Sequence, residues 1–90
     1  MPTDPTLLAL QDLRRDVRHY LAMRPTIAQE PAVIHRHVRR ETPCNLGQVE
    51  AALQFLTTLD PPQVRPERDP LGASQYYQIT AAGTLADERD

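Results

Sequence analysis

The chain has 90 residues, of which 40% are hydrophobic and 24% are charged, and its net charge is −2. This length accommodates one small domain and excludes two lobes around an active-site cleft. The apolar runs are far shorter than the ~20 residues of a transmembrane helix, and residues 1–5 lack the basic start and apolar stretch of a secretory signal. We therefore expect a cytoplasmic protein with no membrane partner. Cys44 is the single cysteine, which excludes an internal disulfide and a multi-cysteine zinc site.

Positive charge is concentrated in the first half of the chain. Residues 1–43 hold seven arginines against five acidic residues, whereas residues 44–90 hold three arginines against seven acidic residues. The side chains that an anionic partner would contact therefore lie mainly before residue 44.

Prolines divide the chain into stretches that can each form a helix or strand, because a proline breaks the interior of a helix. The first stretch predicts an amphipathic helix at about 6–24, preceded by a flexible segment at 1–5. The apolar residues of this helix recur at three- and four-residue intervals: Leu7, Leu10, Leu13, Val17, Tyr20 and Leu21. Leu8 lies beside this stripe and is a candidate dimer or partner contact.

The second stretch predicts a short helix at about 31–41, with Pro31 as its first residue and Ile34 and Val38 on its core side. The opposite side carries three arginines: Arg36, Arg39 and Arg40. The preceding residues 25–28 form either a brief strand or an anchor for Ile27.

The third predicted helix covers about 45–59. Asn45 and Gln48 have the spacing of a capping box, in which each side chain accepts a hydrogen bond from a backbone amide at the helix start. The core stripe is predicted to consist of Leu46, Val49, Leu53 and Leu56. The outer face is small and uncharged, with Gly47, Ala51, Gln54 and Thr58. Phe55 borders this face and is a second candidate dimer or partner contact.

A β-hairpin is predicted at about 63–80, since residues 75–80 have the aromatic and β-branched content of a strand. Tyr77 and Ile79 share one side of that strand and are expected to face the core. The polar residues 66–74 form the connecting loop. Thr80 is a candidate cap for a last short helical stretch, and residues 86–90 are expected to be a frayed acidic end.

The order of helix, short helix, helix and hairpin resembles the winged-helix domain. The tract Tyr76-Tyr77-Gln78-Ile79-Thr80-Ala81-Ala82-Gly83 is similar to the "YYxLTxxG" ending that follows the wing in PadR-like and MarR-like bacterial regulators. Length and layout also resemble small winged-helix proteins of Mu-like phages and prophages. The resemblance covers about residues 7–85 and implies an α+β, mostly α, fold with a three-helix core and a small antiparallel wing.

The chain departs from that pattern in two places. Regulators of this type commonly continue from the third helix with Gly-Leu-Val, whereas this chain has a Leu-Asp-Pro-Pro-Gln-Val run at 59–64. The third helix also contains no arginine or lysine and does contain Glu50.

The resemblance implies binding of double-stranded DNA by a homodimeric transcriptional regulator, with the third helix in the major groove. The base contacts that it implies are Asn45, Gln48 and Gln54. The phosphate contacts that it implies are Arg36, Arg39, Arg40, Arg65 and Arg68. Each set has a structural alternative: the first two amides cap their helix, the arginines of the second helix form a solvated face, and Glu67 and Asp69 offset the wing arginines.

Other chemistry finds little support in the sequence. His35 and His37 point away from each other on a helix, the glycines form no phosphate-binding loop, and Cys44 has no identifiable base. We therefore expect no enzyme activity, no metal and no cofactor. The competing hypothesis is a winged-helix module that binds a protein and not DNA. Charge around the third helix distinguishes the two: arginines favour DNA, and carboxylates favour a protein.

Overall fold

The computed structural model describes residues 5–72 and 74–90, which form four helices and one antiparallel two-stranded sheet. The elements in chain order are α1 (Pro5–Ala22), α2 (Pro31–Val38), α3 (Leu46–Thr58), β1 (Val64–Arg68), β2 (Gln75–Ile79) and α4 (Ala81–Arg89). This mostly helical α+β arrangement is compatible with a winged-helix layout. Of the N-terminal segment expected to be flexible, residues 1–4 lie outside the described part. None of the helices described is both long and apolar enough to cross a bilayer.

The core lies where α1, α2 and α3 meet the inner side of the hairpin. Its buried side chains are Leu13, Val17, Leu21, Ile34, Val38, Val49, Ala52, Leu53, Leu56, Val64, Tyr77 and Ile79. The stripe predicted on α1 is only partly buried, because Leu7 and Leu10 remain 44% and 37% exposed. The other elements therefore cover α1 from Leu13 onward and leave its first two turns uncovered.

The α2–α3 connection is tightly bonded. α2 ends at Val38, whose carbonyl oxygen accepts the N–H groups of Glu41 and Thr42, both at 3.0 Å. His35 Nε2 donates to the carbonyl oxygen of Cys44 at 2.9 Å. These bonds fix the turn that leads into α3.

α3 begins with the capping box expected from the sequence. Asn45 Oδ1 accepts the Gln48 N–H at 2.8 Å, and Gln48 Oε1 accepts the Asn45 N–H at 2.9 Å. The buried side of the helix is rotated slightly from the predicted stripe, since Ala52 is buried and Leu46 is 40% exposed. Leu46 is the first helical residue, where fewer neighbouring elements are available to cover it.

The sheet pairs β1 with β2 antiparallel, with Val64 opposite Ile79 and Pro66 opposite Tyr77. The Tyr77 N–H and carbonyl groups both bond to Gln29 at 2.9 Å, so the segment before α2 joins β2 through an isolated β-bridge. Ile27 is 54% exposed and is therefore no anchor. Because Tyr77 directs its backbone groups toward Gln29, the opposite Pro66 directs its nitrogen toward the open edge, where a missing N–H costs no ladder bond.

The Tyr-Tyr-Gln-Ile-Thr-Ala-Ala-Gly tract joins the hairpin to α4. Thr80 caps the helix, since its Oγ1 accepts the Gly83 N–H at 3.1 Å. Gly83 is buried directly against the backbone of Gln63, at the entry to β1. The tract therefore supplies core residues, a helix cap and a glycine that permits close packing.

The expectation of a frayed end at residues 86–90 differs from the structure, in which α4 continues to Arg89. Its acidic residues are held by α1: Arg18 forms ion pairs with Asp87, at 3.8 Å, and with Asp90. His19 Nδ1 also lies 3.0 Å from Asp87. The reason is tertiary, because partners more than 60 residues away in the chain neutralise these carboxylates.

Candidate nucleic-acid interface

The outer face of α3 is open to solvent. Gly47, Ala51, Gln54 and Thr58 are all exposed, while Val49 and Leu53 face the core. Small side chains on a solvent-facing helix let the backbone of that helix approach a partner closely. This face is therefore available to a DNA groove or to a protein surface.

The three amide side chains expected to contact bases differ in which of their hydrogen-bonding groups are already used within the protein. Asn45 and Gln48 each use the side-chain oxygen in the capping box and retain the NH2 group. Gln54 is exposed, and its side chain makes no hydrogen bond within the described part of the chain. Bidentate pairing with adenine needs both an acceptor and a donor, so Gln54 is the amide best suited to it.

Three arginines on and after α2 carry the positive charge nearest in sequence to α3. Arg36 lies on α2, and Arg39 and Arg40 lie in the turn that follows it; all three are exposed. None of them is within ion-pair distance of a described carboxylate. Their full charge is therefore available to an external anion.

The two hairpin arginines are not equivalent. Arg65 Nε lies 2.9 Å from Glu67 Oε1, and its Nη2 donates to Gln78 Oε1 at 3.3 Å. Arg68 is exposed and has no carboxylate partner in the described residues. The local charge of the hairpin is thus largely cancelled at Arg65 and retained at Arg68.

Carboxylates occupy the other flank of α3. A groove of about 320 Å³ runs between the start of α2, the start of α3 and β2, and its lining includes Glu30, Glu50, Leu46 and Tyr77 but no basic residue. Burial raises the pKa of Tyr77, and the negative charge of Glu50 raises it further. The charge that was expected to decide between DNA and protein is therefore divided, with arginines on the α2 side and carboxylates toward the hairpin.

Glu30 belongs to this groove and was not singled out from the sequence. It is the residue before Pro31 at the start of α2, and its side chain makes no capping bond. The Glu30 carboxylate raises the pKa of Tyr76, chiefly through a hydrogen bond. The bridge between Gln29 and Tyr77 places Glu30 beside Tyr76 and in one groove with Glu50, so no local pattern signals it.

The two apolar candidates for partner contact lie on different elements. Leu8 on α1 is 46% exposed. Phe55 on α3 is 37% exposed, and the Arg14 guanidinium lies 3.6 Å from its ring centroid, a cation–π contact. The arginine shields part of the Phe55 ring, whereas no comparable contact covers Leu8 among residues 5–72 and 74–90.

The Cys44 thiol and the potential metal ligands are the other reactive side chains of interest. Burial, and then the charge of Asp16, raises the pKa of the Cys44 thiol, which disfavours the nucleophilic thiolate. No group of three or more potential metal ligands occurs among residues 5–72 and 74–90.

No protein-family model, no curated protein and no solved structure matches this chain.

Proposed function

We propose that this chain is a winged-helix protein that binds double-stranded DNA and acts as a transcriptional regulator in a bacterium or its phage. The order of elements, the hairpin after α3 and the β-bridge at Gln29 support the winged-helix assignment. Two observations carry the DNA-binding proposal: the arginines on α2 and its turn have no carboxylate partner among the described residues, and the outer face of α3 is exposed and uncharged.

In this proposal α3 enters the major groove, where Gly47 and Ala51 allow close approach and Gln54 reads a base edge. Asn45 and Gln48 contribute only NH2 donors, because their oxygens cap the helix. Phosphate contacts come from Arg36, Arg39 and Arg40, with Arg68 at the wing. Arg65 contributes less, because Glu67 already holds its guanidinium.

The test is an anisotropy titration of a labelled random duplex at about 50 mM and about 200 mM salt. Three to four neutralised phosphates per protomer predict that each bound protomer contributes a factor of roughly 40 to 150 to the loss of affinity at the higher salt concentration, because the logarithmic slope is about −0.9 per phosphate. Arg39→Ala should weaken binding to every sequence and reduce the slope by about 0.9 for each bound protomer. Arg89→Ala, which removes an exposed arginine from α4, is the matched control and should leave the slope unchanged. Absence of binding at both salt concentrations would refute the proposal.

The proposed DNA-binding form is a homodimer. The first turns of α1 expose Leu7, Leu8 and Leu10 within an uncharged run, and two copies related by a two-fold axis could bury these side chains against each other. Sedimentation equilibrium of the wild type and of Leu8→Asp tests this arrangement. We expect a concentration-dependent dimer for the wild type and a monomer for Leu8→Asp. A wild type that stays monomeric both alone and on DNA would exclude it.

The groove between α3 and the hairpin favours a second candidate, a protein-binding module. Its two carboxylates, Glu30 and Glu50, lie beside the apolar side chain of Leu46 with no basic residue in the lining, which suits a basic protein segment better than a phosphate. The titration described above separates the two functions, because a protein-binding module shows no salt-dependent binding to duplex DNA.

A further inference from the structure

Glu50 is the only charged residue of α3, and it is exposed. It lies three residues after Gly47 and four residues before Gln54, so it borders the outer face of the helix. In the sequence, Glu50 departs from the winged-helix pattern and counts among the carboxylates that favour a protein partner. Its position in the structure gives it a specific use.

The Glu50 carboxylate has no cationic partner in the part of the chain that the structure describes. No arginine or histidine there lies within ion-pair distance of it. The groove beside it is also lined by Glu30, which precedes α2, and by Gln75 and Tyr77 of β2, so the other charged group in this groove is negative as well. The negative charge of Glu50 is therefore not neutralised by a described residue and can act on a molecule that contacts α3.

A carboxylate on a helix in the major groove accepts hydrogen bonds and donates none. Phosphates repel it, as do the acceptor atoms N7 and O6 of guanine and O4 of thymine. Adenine offers an amino group, but the acceptor N7 lies next to it. Cytosine presents the N4 amino group as its only hydrogen-bonding group in the major groove, so a carboxylate selects cytosine.

We propose that Glu50 is a specificity-determining residue that accepts a hydrogen bond from the N4 amino group of a cytosine in the bound site. This inference rests on the proposed DNA-binding function. Glu50 would then act in two ways: it weakens binding to sequences without the cytosine, and it favours the site that contains it. An acidic residue on this helix thus helps the protein to distinguish one DNA sequence from another.

The experiment is a selection of bound sequences from a random duplex pool with the wild type, Glu50→Gln and Glu41→Gln. Glu41→Gln is the matched control, because it removes the same charge from another exposed residue. Glu41 follows α2 and lines a different groove, which is formed with α1. Circular dichroism of each variant verifies the fold.

The wild type and Glu41→Gln should enrich one fixed cytosine in each bound site. Replacing that C·G pair should weaken wild-type binding about 10-fold, within the usual range for one base pair, and should weaken Glu50→Gln binding less than about 2-fold. Glu50→Gln should also bind random duplex several-fold more tightly than Glu41→Gln does.

The experiment distinguishes failure of the Glu50 role from failure of the proposed DNA-binding function. Duplex binding by the wild type with no enriched cytosine, or with the same preference in Glu50→Gln, overturns the role of Glu50 and leaves DNA binding intact. Binding by Glu50→Gln alone makes Glu50 a purely repulsive group and also overturns its reading role. Absence of binding by all three proteins at about 50 mM salt overturns the proposed function and this inference together.

Discussion

Replacing Gly83 with alanine probes the junction between the hairpin and α4. A Cβ atom at position 83 would lie 2.0 Å from the carbonyl oxygen of Gln63 and 2.6 Å from Cδ1 of Ile79. The first neighbour is a backbone atom that also accepts the Thr80 N–H at 3.1 Å. It cannot move away without weakening that hydrogen bond, and the Ile79 side chain belongs to the core.

The expected change in the free energy of unfolding combines two destabilising effects and one stabilising effect. Overpacking costs about 1–3 kcal/mol and a weakened hydrogen bond about 1 kcal/mol, whereas alanine in the first turn of a helix gains less than about 1 kcal/mol over glycine. We therefore expect Gly83→Ala to lower the free energy of unfolding by about 2–3 kcal/mol. For a domain of this size that corresponds to a melting temperature lower by roughly 10–20 °C.

The assay is urea and thermal unfolding followed by circular dichroism, with Gly47→Ala as the matched control. Gly47 also lies in the first turn of a helix, but the nearest atom to its added Cβ is Asn45 Oδ1 at 3.4 Å, an ordinary contact. We expect Gly47→Ala to change stability by no more than about 0.5 kcal/mol. Equal stability of the two variants would refute the claim that close packing of α4 on Gln63 requires glycine.

Three further perturbations test other parts of the fold. Pro66→Val adds an N–H to the open edge of β1, so we expect monomer stability within about 1 kcal/mol of wild type but greater self-association in concentrated solution. Light scattering measures the self-association, and a signal unchanged from wild type would contradict this expectation. Because the pKa of Tyr77 is raised in the fold, its contribution to stability is present below the ordinary value of 10.0 and is lost as pH rises through the higher folded value. Urea unfolding at about pH 8 and pH 11 should therefore show a smaller alkaline loss for Tyr77→Phe than for the wild type, and equal losses would count against it. Arg18→Met should remove roughly 1–3 kcal/mol of protection from the last turn of α4, because Asp90 loses its cationic partner and Asp87 keeps only His19. The measurement is hydrogen exchange of residues 84–90, and unaltered rates there would show that the Arg18 ion pairs do not hold the helix.

Local features of the fold were predictable from the sequence because their causes are local. Proline positions and apolar periodicity indicate α1, α2 and α3, since both act within a few residues of backbone. The capping box of Asn45 and Gln48 and the Thr80 cap follow from side chains that reach an amide three residues away. The two-residue alternation of a strand placed Tyr77 and Ile79 on the core side.

The candidate site was predictable only in part. The sequence identified the α2 arginines and the small, uncharged face of α3, because both are patterns within one element. The structure shows that the side-chain oxygens of Asn45 and Gln48 are both engaged in the capping box. Which amide keeps both its oxygen and its NH2 group for a partner therefore depends on the hydrogen bonds that form, and this amide is Gln54. The pairing of Arg65 with Glu67 likewise needed the geometry of the strand.

What remained was decided by the tertiary structure. Periodicity places an apolar residue on one side of its own helix, but the lengths and crossing points of the other elements determine whether that side is covered. Leu13 is therefore buried while Leu7, on the same stripe, is exposed. The same reason applies to charge: α2 and β2 bring Glu30 to the groove beside Glu50, and no separation along the chain reveals that two carboxylates face one surface.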